Sequence, residues 1–304
     1  MNIGIVIVTY NRIDKLKETL KQFSLQTRKP SYILIVNNAC SDGTKEYLDI
    51  WSEQEDGYRK IVLNMKENTG GSGGFYEGLN KSLELDAEWV WVSDDDAVPE
   101  QDALEVSYDF LEKCNDTNQI SAICGQVINK GEIDINHRKN YSPNGIFIKE
   151  SLISEEEYEK EQFELNAFSY VGTIINRDKM KLVGITKKEY FIWWDDTEHS
   201  LRLSKVGKII CLPNIRIHHD VSEGKDTLSW KTYYGFRNMT DMYRRHMPWY
   251  CFAFFAIKVL IKISVYPILK KELEKTKYLK DGFFDAINQK FGLNSVYRPG
   301  FKNK

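Results

Sequence analysis

The chain has 304 residues, 42% of them hydrophobic, enough for one large domain or two smaller ones with a substantial core. Its 42 Lys and Arg against 44 Asp and Glu leave a formal charge of −2, which excludes the dominant basic surface that nucleic-acid binding needs. Five scattered cysteines, Cys40, Cys114, Cys124, Cys211 and Cys251, without CxxC spacing, point to neither a disulfide framework nor a zinc site and fit a reducing compartment.

The chain opens on MNIGIVIVTYNR with no basic leader, long apolar segment or cleavage pattern ahead of it, which predicts a cytoplasmic protein. Residues 3–8 read as a strand, 15–25 as a helix, 32–36 as a strand, 44–53 as a helix, 60–64 as a strand, 74–85 as a helix and 89–93 as a strand. This alternation predicts an α/β protein with a doubly wound, mostly parallel sheet. Such sheets bind ligands beyond the carboxyl ends of their strands. Here those ends are polar: Thr9-Tyr10-Asn11-Arg12, Asn37-Asn38, Asn68 to Gly74, and Asp94-Asp95-Asp96. A helix over 101–113 and a strand over 120–127 continue the pattern. Residues 129–167 are more polar and form an excursion beside the site, with Glu155-Glu156-Glu157 as a solvated acidic stretch. SYVGTIINR restores the apolar pattern from Ser169, DKMKLVG is helix-like, and another helix starts at Trp193-Trp194-Asp195-Asp196 and ends near Gly207. KIICLP is a late strand leading to His218-His219-Asp220.

Three adjacent carboxylates after the strand WVWVS raise one another's pKa, so a divalent cation is their natural partner. Alternate side chains on an extended segment point the same way, which puts Asp94 and Asp96 on one ion and turns Asp95 aside. Hard oxygen ligands suit magnesium or manganese carrying a diphosphate. One imidazole of the His218-His219 pair could join them. The glycine-rich stretch from Asn68 through Gly70, Gly71 and Gly74 lets backbone amides approach a phosphate or sugar, although neither a GxGxxG nor a GK[ST] pattern is present. Trp193 and Trp194 offer aromatic faces for a sugar ring, beside Asp195 and Asp196, either of which could take a hydroxyl proton.

Taken together, IVTYNR, VNNACSDGT, NTGGSGGF, DDD, WWDDTE and the late His resemble glycosyltransferase family 2 enzymes of the GT-A fold across about residues 1–240. The last four of these motifs, with DTLSWKTYYGFRN, are most similar to bacterial galactofuranosyltransferases that use UDP-galactofuranose. The resemblance implies that Asp94, Asp96 and His218 bind the divalent metal, manganese or magnesium, and that Asp196 is the base, with Asp195 as the alternative. It also implies that Arg12, Asn38 and Asn68 contact the UDP-sugar donor; Thr9, Asn11, Gly70, Gly71, Gly74 and Asp95 complete the candidate donor set. Trp193 and Trp194 are the candidate substrate-binding residues. The expected reaction is inverting transfer of a sugar to a glycan or lipid-linked glycan in polysaccharide synthesis. The other readings are a rhamnosyl or other hexosyl donor, a nucleotidyltransferase, or a sugar-binding protein without activity. Oligomeric state is not legible.

Residues 241–304 read as a helical, basic carboxyl-terminal region. From Arg244 to Lys280 there are nine Lys or Arg against only Glu272 and Glu274. Residues 249–269 are apolar enough to span a membrane, but Lys258 and Lys262 interrupt them, and charges at the centre of a bilayer are expensive. An amphipathic helix on the inner face of an anionic membrane is expected instead, with Trp249, Phe252, Phe254 and Phe255 as anchors.

Overall fold

A computed structural model describes residues 1–219 and 228–301. Asp220, residues 226–227 at the start of DTLSWKTYYGFRN, and the last three residues of the carboxyl-terminal region lie outside the described residues. The amino-terminal half runs β1 Ile3–Thr9, α1 Ile13–Ser24, β2 Tyr32–Asn37, α2 Thr44–Ser52, β3 Arg59–Asn64, α3 Gly70–Ser82, β4 Trp89–Asp94, β5 Val98–Pro99, α4 Ala103–Lys113 and β6 Ile120–Asn129. There follow β7 Glu132–Ile133, β8 Arg138–Asn144, β9 Phe147–Leu152, β10 Phe163–Leu165, β11 Ala167–Phe168, β12 Thr173–Asn176, α5 Arg177–Val183, α6 Asp195–Leu203 and β13 Lys208–His218. The chain closes with α7 Trp230–His246, α8 Trp249–Ile268 and α9 Leu273–Ile287.

The main sheet has the order β10-β13-β6-β12-β4-β1-β2-β3. Its β3-β2-β1-β4 half is parallel, as the strand-helix alternation predicts. Beyond β4, strand β12 enters antiparallel between β4 and β6, and β13 then pairs parallel with β6, so the sheet is mixed but mostly parallel. Side chains alternate across it. Ile3, Ile5, Ile7, Ile33, Ile35, Trp89 and Trp91 pack under α1, α2 and α4, while Val6, Val8, Leu34, Val36, Val90 and Val92 pack under α3 and α5. Both faces are covered, which is why these strands read as near-continuous apolar runs.

The excursion at 129–167 folds largely into a three-stranded sheet, β11-β8-β9, and Glu155–Glu159 forms a 3-10 turn. Helix α3 begins at Gly70, four residues earlier than expected. Its glycines are helical because Gly74 and Gly78 press on the sheet: a Cβ on either would come within 2.5 Å of Val8 or Val6. Helix α7 runs through residue 240, so the expected boundary there falls inside one helix, and the helical region begins at Trp230. On α8, Phe252 and Phe255 turn inward against Met239, Tyr243 and Phe236 rather than outward as anchors. Trp249, Ile257 and Ile261 face out.

Candidate active site

Strand β4 ends at Asp94, and the next two carboxylates diverge as an extended segment requires. Asp95 accepts hydrogen bonds from Thr9 Oγ1 at 2.7 Å and Arg12 Nη1 at 2.9 Å. Arg12 also pairs with Asp96. Ligand-capable atoms of Asp94, Asp96 and His219 lie within 4.8 Å of one another. Burial pushes Asp94 up to about 7 and Asp95 up to about 6. Burial works the same way on Asp96 but is overcome by His219 and Arg12, which hold its carboxyl at about 2.

The histidine in this cluster is His219, which corrects the expectation of His218. Successive side chains at the end of β13 leave on opposite sides: His218 Nε2 lies 3.2 Å from Glu100 Oε1, and His219 Nε2 lies 3.3 Å from Asp96 Oδ1. His219 Nδ1 is buried with no hydrogen-bond partner among the described residues, and buried Asp96 Oδ1 faces only the His219 imidazole. Such an atom is costly unless something satisfies it; two carboxylates suit manganese or magnesium, and the added imidazole favours manganese, the less oxygen-bound of the two.

Beside the cluster lies a cavity of about 380 Å³ between the ends of β1 and β2 and the start of α3. Arg12, Asn38, Asn68, Gly70, Gly71 and Asp95 line it, together with Asp94, Tyr10, Phe191 and Trp230. Thr9, Asn11 and Gly74 do not. Thr9 holds Asp95 from behind, Asn11 caps the neighbouring loop through Ser41 N at 2.7 Å, and Gly74 packs on Val8. Asn38 ties β2 to α3 by donating to Gly70 O at 3.0 Å and accepting from Thr69 N at 3.0 Å. Gly70 has φ +74°, and a Cβ there would sit 2.0 Å from Phe191 O, so only glycine fits. A Cβ on Gly71 meets nothing within 4 Å. Gly71→Val is therefore expected to fill the cavity while sparing the core. Donor affinity measured by calorimetry should fall about tenfold, with a melting temperature close to that of the native chain.

The Trp-Trp-Asp-Asp segment is held under strain. Phe191, Trp193 and Trp194 all have positive φ, 66°, 67° and 70°, a region that bulky residues rarely enter. Asn238 on α7 holds them there: its Nδ2 donates to Tyr190 O at 3.0 Å, Ile192 O at 2.9 Å and Trp193 O at 2.9 Å. Arg237 adds Tyr190 O at 2.9 Å. The loop delivers Asp195 and Asp196 as the first residues of α6. Burial and the Asp196 charge push Asp195 up to about 8, with Ser72 beside it and Asp94 near enough to add repulsion. Burial also raises Asp196, opposed by the Thr197 amide at 2.6 Å and by the Lys139 charge. Lys139 on β8 pairs with Glu150 on β9 at 2.6 Å, and the Tyr141 ring lies 6.3 Å from that of Trp194. Asp195 thus stands towards the acidic cluster and Asp196 towards the small sheet. Half-exposed Trp193 borders a second cavity of about 410 Å³, lined also by Trp194, Met239 and Lys275.

Sequence reasoning missed Ser72, Lys139, Tyr141 and Arg237-Asn238. Ser72 lay inside the NTGGSGGF motif and the last pair inside the GFRN segment; Lys139 and Tyr141 carried no signal.

The glutamate of WWDDTE is structural. Glu198 is buried and meets His246 Nε2 at 3.0 Å and Arg202 Nη2 at 2.9 Å, pinning α6 to α7. Burial would raise its pKa, but His246 and Arg202 overcome that and hold the carboxyl at about 2. Its folded value lies below its unfolded one, so the stability it contributes is full above about pH 4.5 and is lost as the pH falls towards 2. Glu198→Gln should therefore cost about 3 kcal/mol at pH 7 in a denaturant titration, and much less at pH 3.

A mixed, mostly parallel sheet with an acidic cluster at its strand ends and a glycine-led helix beside it is the architecture of a GT-A glycosyltransferase. The sequence model of glycosyl transferase family 2 matches residues 4–182, and the chain belongs to that family. It is 26% identical over 207 residues to galactofuranosyltransferase GlfT1 of Mycolicibacterium smegmatis, a match covering 66% of this chain and 65% of that protein. The chain thus spans just under two thirds of that relative's length. It is 24% identical over 226 residues to the dTDP-rhamnosyl transferase RfbF of Shigella flexneri, covering 73% of this chain and 70% of that one. Among solved structures it is similar to GalNAc-T7 with UDP, GalNAc and Mn2+, with TM-score 0.65 and 16% identity over 95% of this chain and 56% of that one.

Proposed function

We propose that the protein transfers galactofuranose from UDP-galactofuranose to a hydroxyl of a glycan or lipid-linked glycan, inverting the anomeric carbon in one displacement. The observation that carries this reading is the placement of two acidic groups around one site, Asp94, Asp96 and His219 on one side and Asp195 and Asp196 on the other. Asn38, Asn68 and Gly71 seat the donor in the cavity they line, and Arg12 balances the acidic cluster. Asp94, Asp96 and His219 would hold a divalent cation, whose chemistry would be to supply positive charge where the diphosphate departs. Asp196 receives the proton of the attacking hydroxyl, burial having raised its pKa above the ordinary carboxylate value. Trp193 and Trp194 stack on the acceptor sugar, and Lys139 and Glu150 bind its hydroxyls. The match to GlfT1 favours galactofuranose; the match to RfbF makes rhamnose from dTDP-rhamnose the second reading.

Helix α8 attaches the protein to an anionic membrane surface, where a lipid-linked acceptor resides. It is long and apolar enough to cross a bilayer, with mean hydropathy 1.8. One of its sides, however, packs on α7 and α9 through Cys251, Phe255 and Val259, and Lys258 and Lys262 flank its exposed stripe, so it lies along the surface. The test is nucleoside diphosphate release from a panel of UDP-sugars and dTDP-rhamnose, with a galactoside acceptor and manganese. Release from UDP-galactofuranose alone supports the donor; release from dTDP-rhamnose instead overturns it.

A further inference from the structure

The hairpin β8–β9 turns through Gly145 and Ile146, and its tip is apolar where tight turns ordinarily carry polar residues. Ile146 is 47% exposed and Phe147 51%. The tip is not loose. Phe147 meets Phe254 of α8 edge-on with ring centroids 5.0 Å apart, Lys258 Nζ lies 5.9 Å from both rings, and Cys251 Sγ is 3.4 Å from Gly145 O. The exposed apolar surface of the tip therefore adjoins that of α8, where Ile257 is 53% and Ile261 56% exposed. Exposed Lys149 follows the tip and exposed Lys258 lies between it and the helix stripe, so the combined patch is apolar with a basic margin. Two exposed side chains of this size, beside an apolar helix face and with lysines at the margin, match an interface of acyl chains under anionic headgroups.

We propose that the 145–147 tip inserts into an anionic lipid surface together with the exposed face of α8, giving the protein two membrane contacts instead of one. This rests on the membrane reading above and extends it. The same hairpin carries Lys139 and Tyr141 at its other end, beside Trp194 and Asp196. A contact at the tip thereby fixes the wall facing the base relative to the lipid surface, and a membrane-held acceptor arrives on the Asp196 side of the site.

The full chain and the double variant I146S/F147S are compared for co-sedimentation with phosphatidylcholine vesicles with and without phosphatidylglycerol. Hydrogen exchange at residues 144–149 of the native chain is followed alongside. The expected result is binding by the native chain to the anionic vesicles, slowed exchange at the tip on binding, and vesicle affinity about tenfold lower in the variant. Transfer to a water-soluble acceptor should be unchanged in that variant. Equal binding by both chains with unaltered exchange overturns the tip while leaving α8 as the anchor. No binding by the native chain overturns the tip and the membrane attachment together, without touching the donor assignment. Tip exchange slowed by protein concentration in the absence of lipid overturns the proposal in favour of contact with a second copy.

Discussion

Asp196→Asn lowers the turnover number for sugar transfer about 10³-fold, with the donor's dissociation constant within about twofold of the native value. The reason is geometric and electrostatic. Asparagine keeps the shape of the side chain at the start of α6 and the contact with the Thr197 amide, but it accepts no proton. The cavity proposed for the donor is lined by Arg12, Asn38, Gly70, Gly71, Asp94 and Trp230 among others, and Asp196 is not among its walls. Asp195→Asn separates the two carboxylates. Burial and the Asp196 charge raise the Asp195 pKa to about 8, so ionising it costs stability, from nothing near pH 4 to the full amount above pH 8. Asp195→Asn therefore raises the melting temperature at pH 8 and leaves it unchanged at pH 4. Pre-steady-state quench kinetics with saturating donor measure the chemical step in each variant. A chemical step lost in Asp195→Asn but retained in Asp196→Asn would exchange their roles.

Asn238→Ala has the second large effect, on a residue remote from the reacting atoms. The Ile192 and Trp193 carbonyls lose their Asn238 donor while Tyr190 O keeps Arg237, and three residues with positive φ lose much of what holds them. Each unpaired buried carbonyl costs about 1–3 kcal/mol, and each strained residue stores a similar amount. The loop can relax only by moving Trp193, Trp194 and the start of α6. The expected result is a stability loss of about 3 kcal/mol by urea titration together with a turnover number at least about 10²-fold lower. Asn238→Asp, which keeps the shape but replaces the donating amide with an acceptor, should resemble Asn238→Ala. Normal turnover in a destabilised Asn238→Ala protein would reduce the residue to a packing role.

What the sequence disclosed follows from what each signal encodes. Strands β1, β2 and β4 were legible because both of their faces are covered, which makes them short apolar runs with polar ends, and the edge strand β3 was legible from its apolar centre Ile61-Val62-Leu63. The insertion of β12 antiparallel between β4 and β6 was not, because strand order leaves no trace in a local pattern. Helix α3 was expected to start late: glycines weaken isolated helices, and only the close approach of Gly74 and Gly78 to Val8 and Val6 explains why they are helical here. The acidic cluster was legible through strand alternation, but the same alternation needs a known strand end to choose between His218 and His219, and β13 ends one residue before His219. The positive φ values at Trp193 and Trp194 run against the preference of bulky residues, and their support comes from Asn238, more than forty positions away. Glu198 read as part of the catalytic motif by adjacency, whereas its partners lie on α7 and within α6.

The measurement that bears most directly on the account is product analysis of a single reaction mixture containing UDP-galactofuranose, a galactoside acceptor and the native chain, with manganese and with EDTA. The expected result is one UDP released per glycoside formed, a product of inverted anomeric configuration by NMR, and loss of both in EDTA and in Asp94→Ala. Release of pyrophosphate, or UDP release that neither the acceptor nor the cation affects, would contradict it.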